Sequence, residues 1–278
     1  MSYIKDVFGS RELMLNLAVR EIKGKYKKTI LGQLWSLANP LALMLVYTFV
    51  FAFVFRVTPG PGNPSGIDSF ALWLLCGLLP WLFFARALSA GVQSLVANES
   101  LIQKVYFARV VLPISDVVAI GYNWLFEMLV LLVALVIAGA KVWITLPYLL
   151  LIMLLMFVFA VGLSLILSIV NVYFRDTEHL ISIALQLWMY LTPVIYPLSL
   201  VATQSEKMGP LFGSNITLMD VYSLNPMEQF INVFRTVLYD VTAPSATSLL
   251  TCFLWSFVSL ALGVLIYSKK DKNLAEAL

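Results

Sequence analysis

The sequence predicts an all-α polytopic membrane protein, and three observations carry that prediction. Hydrophobic residues fill 61% of its 278 positions and charged residues only 12%, whereas a soluble domain of this size carries about 25% charged residues. The mean hydropathy is +0.91. The apolar residues fall in runs of roughly 20, long enough to cross a hydrocarbon core of about 30 Å. At most six such runs fit, over 34–57, 70–96, 113–139, 146–170, 180–197 and 245–267. Each must be helical, because a span in lipid has to satisfy its own backbone polar groups.

Residues 1–33 read as an interface segment ahead of a transmembrane domain over 34–278. Ser10 can cap a helix with Leu13, Met14, Leu17 and Ala18 on one face and Arg11, Glu12, Asn16 and Arg20 elsewhere. Such a helix lies at the inner membrane surface. Lys23, Lys25, Lys27 and Lys28 then form a basic patch suited to anionic lipid, at about 1 kcal/mol per charge. Topogenesis and lipid anchoring account for this segment, or it docks a partner as well. Thirteen Lys and Arg residues, among them Lys5 and the tail residues Lys269, Lys270 and Lys272, fall on the side of the two termini. Four, Arg56, Lys141, Lys207 and Arg235, fall on the other. That bias predicts two cytoplasmic termini, and the first run is a retained span, not a signal peptide.

The inner loop after the second span predicts a short helix over about 97–107. Asn98 is its candidate cap, followed by Glu99, Leu101, Ile102, Lys104, Val105 and Tyr106, with apolar residues at helical spacing. It is too short to build its own core, so its apolar side chains are expected on lipid headgroups or on a partner. Pro113 suits the first turn of the next span. The fourth span ends in Asn-Val-Tyr-Phe-Arg-Asp over 171–176. Either this is an aromatic belt with a topology signal, or Asp176 or Thr177 caps the fifth span while Arg175 faces a cytosolic partner. His179, the single histidine, reads as structural.

The outer region over 193–244 departs most from spans and loops. Pro193 and Pro197 break the fifth helix. Asn225, Pro226 and Glu228 form a capping-box signal. The helix they open runs to about Tyr239, with Phe230, Val233, Phe234, Val237 and Leu238 on one face and Gln229, Asn232, Arg235 and Thr236 on the other. It is too short to span, so it is expected to lie on, or re-enter, the outer leaflet. Irregular backbone at that depth needs cover from protein or a water-filled cavity.

Intramembrane charge is sparse, and its clear cases, Arg86 and Glu127, sit where adjacent antiparallel spans can bring them together, as a structural ion pair or as a polar lining. Trp73, Trp81, Phe84, Trp188 and Tyr190 either face lipid and the interfaces or stack against sugar rings. Cys76 and Cys252 lie inside apolar runs, and nothing has the spacing of a metal site. No phosphate-cradling Gly-x-x-x-x-Gly-Lys-Ser/Thr loop occurs, so an energy source has to be on another chain.

Together, Thr-Ile-Leu-Gly-Gln-Leu-Trp-Ser over 29–36, Asn39-Pro40, Leu-Ile-Gln-Lys-Val-Tyr-Phe-Ala-Arg over 101–109, Val-Tyr-Phe-Arg-Asp over 172–176 and Asn225-Pro226 resemble the type-two ABC permeases that export polysaccharides such as O-antigen, capsule and wall teichoic acid. The resemblance covers nearly the whole chain. It implies a homodimer with two copies of a separate ATPase, which holds the ATP and magnesium, moving a glycan on a polyprenyl diphosphate lipid across the cytoplasmic membrane of a bacterium. It also implies that 98–106 is a coupling helix and that the outer broken helices form a gate. Nucleic acid is not an expected partner. A type-two exporter of a lipid, drug or other small amphiphile is the alternative. An integral membrane enzyme is disfavoured, because the acids Asp68, Asp116, Asp176, Asp220 and Asp240 are scattered, not clustered.

Overall fold

The computed structural model describes residues 9–25, 29–30, 32–57, 59–105, 107–210, 216–271 and 274. Lys5, Lys27, Lys28, Tyr106 and Lys272 lie outside them. The elements are α1 (Arg11–Lys25), α2 (Gly32–Val54), α3 (Phe70–Gln93), α4 (Glu99–Lys104), α5 (Val111–Ile137), α6 (Leu146–Tyr173) and α7 (Thr177–Leu191). There follow α8 (Leu198–Met208), α9 (Leu218–Ser223), α10 (Pro226–Arg235), continued by a π-helical turn Thr236–Asp240, and α11 (Ala246–Lys270). No strand occurs among the described residues.

Five helices, α2, α3, α5, α6 and α11, are long and apolar enough to cross a membrane. The remaining expected span, the fifth in chain order over 180–197, forms the 15-residue α7, about 22 Å long at 1.5 Å per residue. Thr192 leaves α7 in an extended conformation. Pro193 and Pro197 then supply no backbone N–H with which the helix could resume.

α3 is the central element, packed on both α5 and α6, and α6 pairs with α11 more extensively than any other two elements. Small residues make that pairing close. A Cβ on Gly162 would lie 2.4 Å from the Leu260 nitrogen, and one on Gly263 would lie 2.5 Å from the Gly162 carbonyl oxygen. Ser256 and Ser259 donate across the same seam to the carbonyls of Leu155 and Phe159, at 2.7 and 3.3 Å. Between spans in lipid, close backbone approach and hydrogen bonds replace the hydrophobic drive that water would supply.

Halfway along the bundle an aromatic layer fills the space between spans. Phe83 stacks on Trp124 at 4.1 Å, Phe84 on Phe159 at 5.4 Å and Phe159 on Phe230 at 5.4 Å, each pair worth about 0.5–1.5 kcal/mol beyond the area it buries. α1 differs from a helix resting on lipid alone. It packs along α5, with Leu17 and Ala18 buried and Arg11, Glu12, Asn16 and Arg20 exposed.

Candidate functional site

α10 is inserted into the bundle between spans. At its start, the Asn225 side chain accepts from the Met227 N–H at 3.0 Å and from the Trp188 indole at 2.8 Å, and donates to the Thr192 hydroxyl at 2.9 Å. The Trp188 ring lies 6.2 Å from Trp81 and 5.4 Å from Phe84, both halfway along α3. At the other end, Tyr239 donates to the Gly60 carbonyl at 3.1 Å, and the Asn63 N–H donates to Asp240 at 3.2 Å. Thr145, just before α6, donates to the Val237 carbonyl at 2.8 Å. The helix therefore runs from the middle of the bundle to the loop ahead of α3. Phe230, Val233, Phe234, Val237 and Leu238 are buried, Asn232 is exposed, and Gln229 and Thr236 are half-buried.

Arg235 departs from its expected place on the polar face. It is 8% exposed, its two terminal nitrogens donate at 2.6 Å to the carbonyls of Pro193 and Val194, and it lies 3.6 Å from the centre of the Trp73 ring. The chain that breaks away after α7 leaves carbonyls without helical donors, and the guanidinium fork answers two of them. Pro193 and Pro197 are themselves buried. The expected box at Asn225 is only half formed. Glu228 is buried and accepts from Gln229 at 2.7 Å, while the Asn225 N–H donates to the Tyr222 carbonyl. The box that closes is Thr217 with Asp220, a Thr-x-x-Asp signal passed over in the sequence. The Thr217 N–H and hydroxyl hold the Asp220 carboxyl below its usual range.

Arg86 and Glu127 are brought together, Nη1 to Oε1 at 2.7 Å, with the Arg86 side chain 25% exposed and that of Glu127 fully covered.

On the side of the two termini, four segments meet. Arg20 of α1 reaches Asn98 at 3.5 Å, Gln93 donates to Glu178 at 2.6 Å, and Arg109 donates to the Asp271 carbonyl and lies 3.7 Å from its carboxylate. Burial raises the Asp271 pKa, with Arg109 opposing the shift. α4 turns Ile102 into the core with Leu101 partly buried against it, so both pack on their own spans. Lys104 and Val105 are exposed, and Glu99 is half-exposed. Asn98 makes no side-chain cap, because its amide donates to the Ser94 carbonyl at 2.9 Å. Asp176 makes none either, and Thr177 donates backwards to the Phe174 carbonyl at 2.6 Å. Arg175, Asp176 and His179 are exposed next to them.

Of the aromatics named for a sugar path, Trp73, Trp81 and Phe84 are buried in packing between helices, where they offer no open ring face. Trp188 is partly buried and Tyr190 is exposed. Glu178, Ser182 and Gln186, which sequence reasoning did not single out for this path, recur with Tyr190 at every fourth position on α7, and all four are exposed.

The family profile of the ABC-2 type transporter matches residues 12–208, most of the chain. The chain belongs to the ABC-2 type transporter family. This ABC-2 chain is 31% identical over 278 residues to the O-antigen export system permease protein RfbA of Myxococcus xanthus, covering 99% of this chain and 98% of that protein. It is 29% identical to the protein of the same name from Klebsiella pneumoniae, over 96% of this chain and 95% of that one. To the polysialic acid transport protein KpsM of Escherichia coli it is 23% identical over 92% of each. The α10 insertion lies beyond the part matched by the ABC-2 profile but within the full-length similarity to the Myxococcus protein.

Proposed function

We propose that this chain is the permease subunit of an exporter that moves O-antigen- or capsule-type polysaccharide across the cytoplasmic membrane, driven by a separate ATPase subunit. The end-to-end similarity to the Myxococcus O-antigen export permease carries this reading. In the finer form the glycan travels on a polyprenyl diphosphate lipid, both termini are cytoplasmic, and two permease copies pair with two ATPases that hold ATP and magnesium. The face formed by α1, α4 and the start of α7 receives the ATPase, with Lys104, Val105, Arg175 and Asp176 exposed on it. Two observations favour a path between two copies. One chain fills its middle with the aromatic layer, and α7 turns Ser182, Gln186 and Tyr190 outward beyond its first turn, where polar groups at membrane depth need water or a partner. α10 then closes the exit on the outer side.

Depletion of the chain in its own bacterium tests this, with a tagged copy used for co-purification. Surface polysaccharide should fall, lipid-linked glycan should collect inside, and an ATPase should co-purify in equal amount. Unchanged surface polysaccharide with retention of a small amphiphile would replace this reading with the small-molecule exporter.

A further inference from the structure

Between α1, α3 and α5 lies a cavity of about 470 Å³ that the transport reading does not use. That volume falls within the range of about 300–1,000 Å³ usual for small-molecule sites. One end is charged. Arg20 contacts Glu21 at 3.1 Å, and the carboxyl of Asp116 lies within electrostatic reach of both. The walls, from Ile22, Ala119 and Ile120, are apolar, and Asn123 stands at the far end. Asp116 and Asn123 are seven residues apart on α5, about 10 Å at 1.5 Å per residue. The cavity thus follows a spanning helix inward, toward the Arg86–Glu127 pair one turn beyond Asn123.

This arrangement selects its ligand by charge and by phase. Two carboxyl groups and one guanidinium repel a simple anion and accept a positive group, while a ligand that also carries a phosphate engages the guanidinium fork of Arg20 beyond its contact with Glu21. A zwitterion satisfies both signs. Apolar walls running along a membrane span suit a molecule that already lives in the bilayer, with a tail to lay against them. A primary ammonium donates three hydrogen bonds to carboxylates, which a quaternary one cannot do. We propose that this cavity binds a zwitterionic phospholipid bearing a primary ammonium, with Asp116 and Glu21 receiving the ammonium and Arg20 the phosphate. Because Arg20 also reaches Asn98 just before α4, the bound lipid fixes α1 against the loop that forms the docking face.

The test is native mass spectrometry of the full-length permease with its ATPase partner, given phosphatidylethanolamine, phosphatidylcholine and phosphatidylglycerol at equal concentration. Phosphatidylethanolamine should be retained at least about tenfold over the other two, and Asp116→Asn should reduce its retention about tenfold, the loss of one hydrogen bond to a charged group. A second variant guards against misfolding of the first. Gly24 lines the cavity and a Cβ there meets nothing within 4 Å, so Gly24→Leu fills the space without displacing a neighbour and should abolish the preference. Equal retention of the three lipids, preference for phosphatidylglycerol, or an unaltered preference in Gly24→Leu would overturn the proposal. Because export of a glycan is not read out, the result stands whatever the substrate proves to be.

Discussion

The guanidinium of Arg235 stands 3.6 Å from the centre of the Trp73 ring while its two arms hold the carbonyls of Pro193 and Val194 at 2.6 Å. One side chain therefore fastens the inserted α10 to two things at once, the central α3 and the broken chain after α7. Arg235→Ala should destabilise the protein by about 3 kcal/mol or more, because two buried carbonyls lose donors to a charged group. Arg235→Lys should fall between the two, since an ammonium cannot fork to both carbonyls or stack on the indole. Thermal unfolding of the purified complex measures this, and a lysine variant as stable as the parent would remove the fastening role.

Arg86 and Glu127 make a second test of buried charge. Replacing either by Ala strands the other ion and should cost about 3–5 kcal/mol, while removing both should recover much of that loss. A double-mutant cycle on unfolding midpoints reads the coupling. Losses that simply add would mean that the 2.7 Å contact contributes nothing to stability.

The loop helix separates docking from folding. Val105 is 50% exposed and Ile102 is 6% exposed, so aspartate at the two positions should do different damage. Val105→Asp should leave expression and melting temperature near the parent and remove the permease-dependent stimulation of ATP hydrolysis. Ile102→Asp should lower the yield of folded protein, since a buried unpaired carboxylate costs several kcal/mol. If Val105→Asp retains full stimulation, the docking face lies elsewhere.

At the α6–α11 crossing, Gly162→Val should be among the most damaging single changes. Its side chain would be driven into the Leu260 and Ser259 backbone, with contacts at 2.4 Å already at Cβ, and overpacking of this kind costs about 1–3 kcal/mol or more. Gly24→Ala, in open space on α1, is the control and should be neutral. Comparison of detergent-stability half-lives checks both.

Accessibility of α10 can be read with single cysteines in a background carrying Cys76→Ala and Cys252→Ala. Asn232→Cys should react fastest with a membrane-impermeant thiol reagent added outside, Gln229→Cys and Thr236→Cys more slowly, and Phe230→Cys and Phe234→Cys hardly at all, following their burial. Trapping the ATPase with nucleotide should change the rates. Labelling from the inside alone would reverse the assigned topology, and uniform rates would make the segment a plain surface loop.

The sequence by itself determined the fold class, because composition and the length of apolar runs answer to the bilayer and need no knowledge of neighbours. It also determined that the chain between the fifth and last spans is broken and carries a capped helix, since Pro193, Pro197 and Asn225-Pro226 act on their own backbone. It located Arg86 and Glu127 at matching depth for the same reason, helical rise being local. Tertiary structure alone decided what each side chain meets. Arg235 reads as polar by its position on the helical wheel, yet it is buried because carbonyls released 41 and 42 residues away need its donors. Ile102 turns inward because spans distant in sequence supply the core its own helix lacks, and Trp81 and Phe84 are consumed by packing against α6 and α7. Asn98 and Glu228 each stand where a cap belongs, but the Ser94 carbonyl and the Gln229 amide take their side chains instead. Sequence periodicity fixes which residues share a face; only the packed bundle fixes what that face is turned toward.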